Sequence, residues 1–111
     1  MQPLRILIHA PTAGAVVRAR NNAANLRKEL PDAEVRIVVN ADGVREVLDV
    51  PRPDTDRFTL VCGNTLNKIQ RIASSPLQVV PGAALAIALM QREGWRYIVH
   101  EDGARKDSGG G

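Results

Sequence analysis

Phe58 to Thr65, FTLVCGNT, joins five residues of strand-forming, mostly apolar character (Phe58, Thr59, Leu60, Val61, Cys62) directly to Gly63-Asn64-Thr65, and a helical pattern opens immediately afterwards. The lone cysteine of the chain therefore falls at the carboxyl end of a buried strand and immediately before a helix N-terminus. In open α/β sheets, ligands and reactive groups collect at this edge. The partial positive charge of a helix N-terminus favours a thiolate over a thiol.

The same alternation of strand and helix extends outward in both directions. Upstream, Leu4 to Ala10 (LRILIHA) is a short apolar run closed by Pro11, which suits a first strand. Val16, Ala19, Ala23, Leu26 and Leu30 then recur every three to four residues, an amphipathic helix stopped by Pro31-Asp32. Ala33 to Asn40 reads as a second strand and Val44 to Asp49 as a short helix. The charged DTDR segment after Pro51 and Pro53 reads as a loop.

Downstream, Thr65 to Ala73 places Leu66, Ile69 and Ile72 on one helical face, and Leu77 to Val80 is a fourth strand. Pro81-Gly82 opens a helix running to Arg92 that is apolar almost all round, and such a helix needs cover on more than one side. Gly94 ends it, and Trp95 to Glu101 forms a last strand. The pattern predicts one domain over residues 1–101: an α/β three-layer sandwich with a mainly parallel sheet of about five strands in the flavodoxin-like order 2-1-3-4-5. Residues 102–111, polar and glycine-rich, are expected to be a disordered tail.

Composition narrows the function classes. The chain has 111 residues, 44% apolar and 24% charged, an ordinary globular balance with room for a single core. Phe58, Trp95 and Tyr97 are its aromatics, so the core is aliphatic. The net charge of +3 comes from scattered basic residues, among them Arg18, Arg20, Arg27 and Lys28 on the first helix, which read as solvated faces. With no aromatic platform beside them, nucleic acid is not an expected partner. A single cysteine excludes an internal disulfide framework and a CxxC site. No run reaches the ~18 apolar residues of a membrane span, so no membrane partner is expected and a cytoplasmic, reducing location is.

Two side chains bring reactive chemistry. In the 2-1-3-4-5 order the first and third strands are neighbours, so His9 would lie near Cys62, where an imidazole accepts a thiol proton or stabilises a thiolate. Asn40, Gly63, Asn64, Thr65, Pro81 and Gly82 would complete the crevice as ligand-binding positions, with Gly63 leaving the sulfur sterically open. Two plainer readings stand beside these: Cys62 as a small buried hydrophobe, and His9 as a strand-end histidine tied to a loop carbonyl. His100 reads as a surface or interface residue. The residues contain no Ser-His-Asp order, metal-ligand cluster, GxGxxG or P-loop spacing, so neither a metal nor another cofactor is implied.

LVCGNTL (Leu60 to Leu66), ANLRKELPDAEVRIVVNADGV, and VVPGAALAIALMQREGWRYIVHE near the C-terminus together resemble the DsrE/DsrF-like family, which includes subunits of sulfur-relay complexes of the TusBCD type. The resemblance covers most of residues 4 to 101. It implies a small α/β domain that assembles into trimers or hexamers, with Cys62 at the position of the cysteine that carries a persulfide. Asn40-Ala41-Asp42-Gly43 stands where many relatives carry His-Gly-x-Gly, which removes a histidine from the crevice.

Two functions follow as expectations. One is a sulfur carrier that relays persulfide sulfur through Cys62 between donor and acceptor proteins. The other is a non-catalytic oligomeric module that binds a small ligand or a protein, with Cys62 structural. Both include a homo-oligomer, for which the apolar helix Ala83 to Met90 and exposed positions at Trp95 and Tyr97 supply the physical motive.

Overall fold

A computed structural model describes residues 2–100; the expected tail lies outside the described residues. The elements follow in the order β1 (Arg5–Ala10), α1 (Ala13–Glu29), β2 (Glu34–Val39), α2 (Asp42–Asp49), α3 (Pro53–Asp56), β3 (Thr59–Cys62), α4 (Gly63–Ile69), β4 (Gln78–Val80), α5 (Ala83–Arg92) and β5 (Arg96–Val99). Every strand pair is parallel. The α/β fold with a five-stranded parallel sheet is thus as the alternation predicts.

The strand order differs from the predicted 2-1-3-4-5: it is β4-β3-β2-β1-β5. Steps from β1 to β4 all move one way across the sheet, and right-handed crossovers then stack α1, α2 and α4 on a single face. The chain returns past the whole sheet to lay β5 against β1, which leaves α5 to cover the opposite face. Consequently β2 separates β1 from β3, and His9 and Cys62 are not on adjacent strands.

Alternation along the strands supplies both faces. Ile6, Ile8 and Ala10 of β1, Val35, Ile37 and Val39 of β2, and Val61 of β3 pack with Val16, Ala19 and Ala23 of α1, Val44 and Val47 of α2, and Leu66 of α4. Alanines at the α1 contact let the helix lie close to the sheet, and its start is capped by the Thr12 hydroxyl, which accepts from the Ala15 N–H at 3.0 Å. The other face is thinner. Leu7, Val38, Cys62, Ala83 and Trp95 form its core, with Leu60, Ile87 and Met90 partly buried around them.

Three local expectations are corrected. Arg20 is not solvated: its guanidinium pairs with Asp56 at 3.0 Å, both side chains being buried, and the DTDR segment is the short α3 that brings the carboxylate there. The helix predicted to Ala73 ends at Ile69, where Gln70 turns left-handed (φ 57°), so Ile72 leaves the core face and is 89% exposed. Trp95 is buried, with the Arg5 and Arg36 guanidinium groups over its ring at 4.9 and 5.5 Å. Tyr97 is 40% exposed, as expected.

Candidate functional site

The site is built where β3 and β4 end. Cys62 pairs with Val80 in the sheet, so the two strand exits leave side by side, one straight into α4 and the other through Pro81-Gly82 into α5. The sulfur consequently lies between the N-termini of two helices. Gly63 permits this approach: a Cβ there would stand 2.9 Å from the Val80 carbonyl oxygen and 3.2 Å from that of Pro81. The glycine therefore serves the convergence of the two strand exits rather than access to the sulfur. The Asn64 N–H donates to the Pro81 carbonyl at 3.1 Å and ties the exits together.

Cys62 is only 5% exposed, and its Sγ accepts from the Ala83 N–H, the first of α5, at 3.4 Å. Burial pushes the thiol up, and it is the largest single influence. The donors around the sulfur together outweigh it: the Thr65 hydroxyl, then the N–H groups of Thr65, Ala83 and Asn64, so that the thiol falls below its ordinary value. Thr65 is well set for this role. Its oxygen accepts from the Ala41 N–H at 3.2 Å, which leaves the hydroxyl proton for the sulfur. Ala41 itself sits at φ 49°, a conformation costly for a residue with a Cβ and held here at the rim of the site.

Beside the sulfur is an open cleft of about 490 Å³ lined by Asn40, Cys62, Asn64, Pro81, Gly82 and the first turn of α5. Of the predicted site residues, Asn40, Asn64, Pro81 and Gly82 thus share a cleft with Cys62, while Gly63 and Thr65 do not line it: Gly63 borders a separate cavity beside α4, and Thr65 acts on the sulfur through its hydroxyl and amide. Gly82 also approaches closely, since a Cβ there would meet the Asn64 side-chain nitrogen at 3.0 Å.

His9 is not brought to the sulfur. With β2 intervening, strands two places apart are separated by roughly 10 Å, beyond direct proton exchange. His9 instead reaches Asn40 Oδ1 from Nε2 at 2.9 Å and the Tyr97 hydroxyl from Nδ1 at 2.8 Å. Sequence reasoning misses Tyr97 as a polar partner, because an aromatic two residues from the start of a terminal strand reads equally as packing. It misses the Ala83 N–H as well, although Pro81-Gly82 before an uncapped helix is its signal. His100 is half-buried and accepts from the Asn22 side-chain amide at 3.0 Å; burial and then the nearby Arg18 charge lower its pKa.

Among the described residues no three His, Cys, Asp or Glu side chains are grouped as a metal would need. Nor is any described helix long and apolar enough to cross a membrane.

No protein-family model matches the sequence, and no curated protein matches it. The structure is similar to that of MTH1491, a protein of unknown function from Methanobacterium thermoautotrophicum. The TM-score is 0.71 at 24% sequence identity, with 86% of this chain and 98% of that chain covered. Similarity at that identity establishes the shared fold.

Proposed function

We propose that the protein is an intracellular sulfur carrier of the DsrE-like kind, loaded at Cys62. One observation carries the reading: a thiol that is held below its ordinary value by the Thr65 hydroxyl and by amides of two helix N-termini, at the side of a cleft large enough for a small donor or an extended segment of a partner. The Cys62 thiolate attacks the outer sulfur of a donor persulfide. A new S–S bond forms at Cys62, the donor's S–S bond breaks, and the donor leaves as a thiolate. Transfer onward reverses the roles: an acceptor thiolate takes the outer sulfur and Cys62 departs as thiolate. The donors that stabilise the attacking anion also stabilise it as a leaving group, so one arrangement serves both steps.

The carrier works as a homo-oligomer in this reading. Leu85 is 59% exposed on α5, where it lines the cleft, and Leu89 one turn on is also exposed, an apolar helix surface that a second copy would cover.

A second reading is favoured by the burial of Cys62 among Leu7, Val38, Ala83 and Trp95, which suits a structural cysteine in a non-catalytic oligomeric binding module. Incubation with a persulfide donor followed by mass spectrometry separates the two. The carrier gains the mass of one sulfur atom, and Cys62→Ser does not. Native protein that resists both sulfur loading and alkylation at neutral pH, while denatured protein reacts, supports the structural cysteine and overturns the carrier.

A further inference from the structure

The His9 to Asn40 hydrogen bond sets the direction of a group that shares a cleft with Cys62. Asn40 leaves the end of β2, between His9 on β1 and Cys62 on β3, and lines the same cleft as the sulfur. Its Oδ1 is turned to His9 Nε2 at 2.9 Å, and His9 Nδ1 meets the Tyr97 hydroxyl at 2.8 Å. An amide oxygen only accepts, so Nε2 donates to Asn40, and in the Nε2–H tautomer Nδ1 accepts from the Tyr97 hydroxyl. The chain of donors then runs Tyr97 O–H to His9 and His9 N–H to Asn40. With its oxygen engaged on the His9 side, the carboxamide presents its NH₂ to the remaining side, and among the described residues that NH₂ has no protein acceptor.

We infer that Asn40 is the residue that receives the outer sulfur of a Cys62 persulfide, and that His9 and Tyr97 are positioning residues that keep its NH₂ rather than its oxygen toward the cleft. This rests on the carrier reading of Cys62. The outer sulfur of a hydropersulfide is acidic and carries negative charge as an anion, and an N–H donor retains it where a carbonyl oxygen would repel it. The role assigned to His9 is therefore orientation of Asn40, in place of proton exchange with Cys62. Tyr97 lies on the last strand, so completing this site requires β5 to dock beside β1.

Sulfur loading from a small persulfide donor, followed by mass spectrometry, tests this on Asn40→Ala, Asn40→Asp and Tyr97→Phe, with iodoacetamide alkylation of the unloaded proteins in parallel. Loss of one hydrogen bond to a charged group predicts persulfide retained about tenfold less well in Asn40→Ala. Asn40→Asp, which places acceptor oxygens toward the sulfur, is expected to lose more, and Tyr97→Phe a few-fold. Alkylation of Tyr97→Phe stays within about twofold of wild type, because its hydroxyl acts through His9 and Asn40 on the outer sulfur and not on Sγ; a general loss of structure would change both readouts. Nitrogen-15 NMR of the His9 ring supplies a measurement independent of Cys62, with protonation at Nε2 expected. A ring protonated at Nδ1 would turn the Asn40 oxygen into the cleft and overturn the proposal. So would wild-type persulfide retention in Asn40→Ala and Tyr97→Phe, with the carrier reading left standing. Failure of wild type to load sulfur at all removes the carrier reading and this inference with it.

Discussion

The two faces of the sheet are built on different terms. Beneath α1, α2 and α4, aliphatic side chains from three strands are enclosed, and the charged exception, Arg20 with Asp56, is a buried ion pair at 3.0 Å. Under α5 the cover is a single helix of ten residues, and here the sheet carries Cys62, His9, Asn40 and Tyr97. Closely packed interiors tolerate few cavities and fix their side chains, whereas a sparsely covered face leaves room for a cleft and for groups that meet solvent. The two faces thus divide the labour: the first stabilises the domain, and the second holds the groups that can react.

The largest effect is expected where the covered face would be disrupted. Asp56→Ala strands Arg20 without its partner in a dry site and should cost about 3–5 kcal/mol in urea unfolding. Alkylation of Cys62 in the molecules that remain folded should be unchanged, because the pair lies across the sheet from the sulfur; a parallel loss of thiol reactivity would refute the division. Gly63→Ala comes next. Its Cβ meets two backbone carbonyls that have no free room, so a loss of about 1–3 kcal/mol is expected, together with slower alkylation as the exits of β3 and β4 are pushed apart.

Thr65→Val isolates the reactive side. It deletes the strongest donor to the sulfur, so the Cys62 pKa should rise while stability changes by about 1 kcal/mol. The pH dependence of alkylation measures the first quantity. The sign of the coupled stability follows from linkage: a native thiol below its unfolded value ionises first as pH rises. Stability relative to Cys62→Ala should grow as pH rises through the native pKa, become complete above the unfolded thiol's ordinary value, and be lost again on lowering the pH. The window should narrow in Thr65→Val. The smallest folding effect is expected at Leu85→Glu on the outer side of α5, within about 0.5 kcal/mol for the single chain. Light scattering should nevertheless show the proposed homo-oligomer dissociating, and an unchanged assembly would place its interface elsewhere.

Much of the fold is legible in the residues alone. A strand has a side-chain period of two and a helix one of 3.6, so each apolar run announces its own type, and Pro31, Pro81 and Gly94 mark where types change. FTLVCGNT places Cys62 between a strand and a helix, and β3 does end at Cys62, while α4 begins at Gly63, ahead of the helix read from Thr65. At Ile72 the helical periodicity continues past the residue at which the backbone stops; Gln70 turning left-handed carries no sequence mark of the kind glycine supplies.

The sequence by itself determined the class of fold, the kind and order of its elements along the chain apart from the short α3, and the position of the cysteine at a strand exit, because these depend on residues within a few positions of one another. Only the tertiary structure decided which strands are neighbours. A parallel crossover can step to either side of a sheet, and the choice depends on which helices can share a face, a property of the whole chain. That choice placed β2 between His9 and Cys62, joined His9 to Asn40 and Tyr97, and brought the Ala83 N–H to the sulfur from a residue 21 positions away.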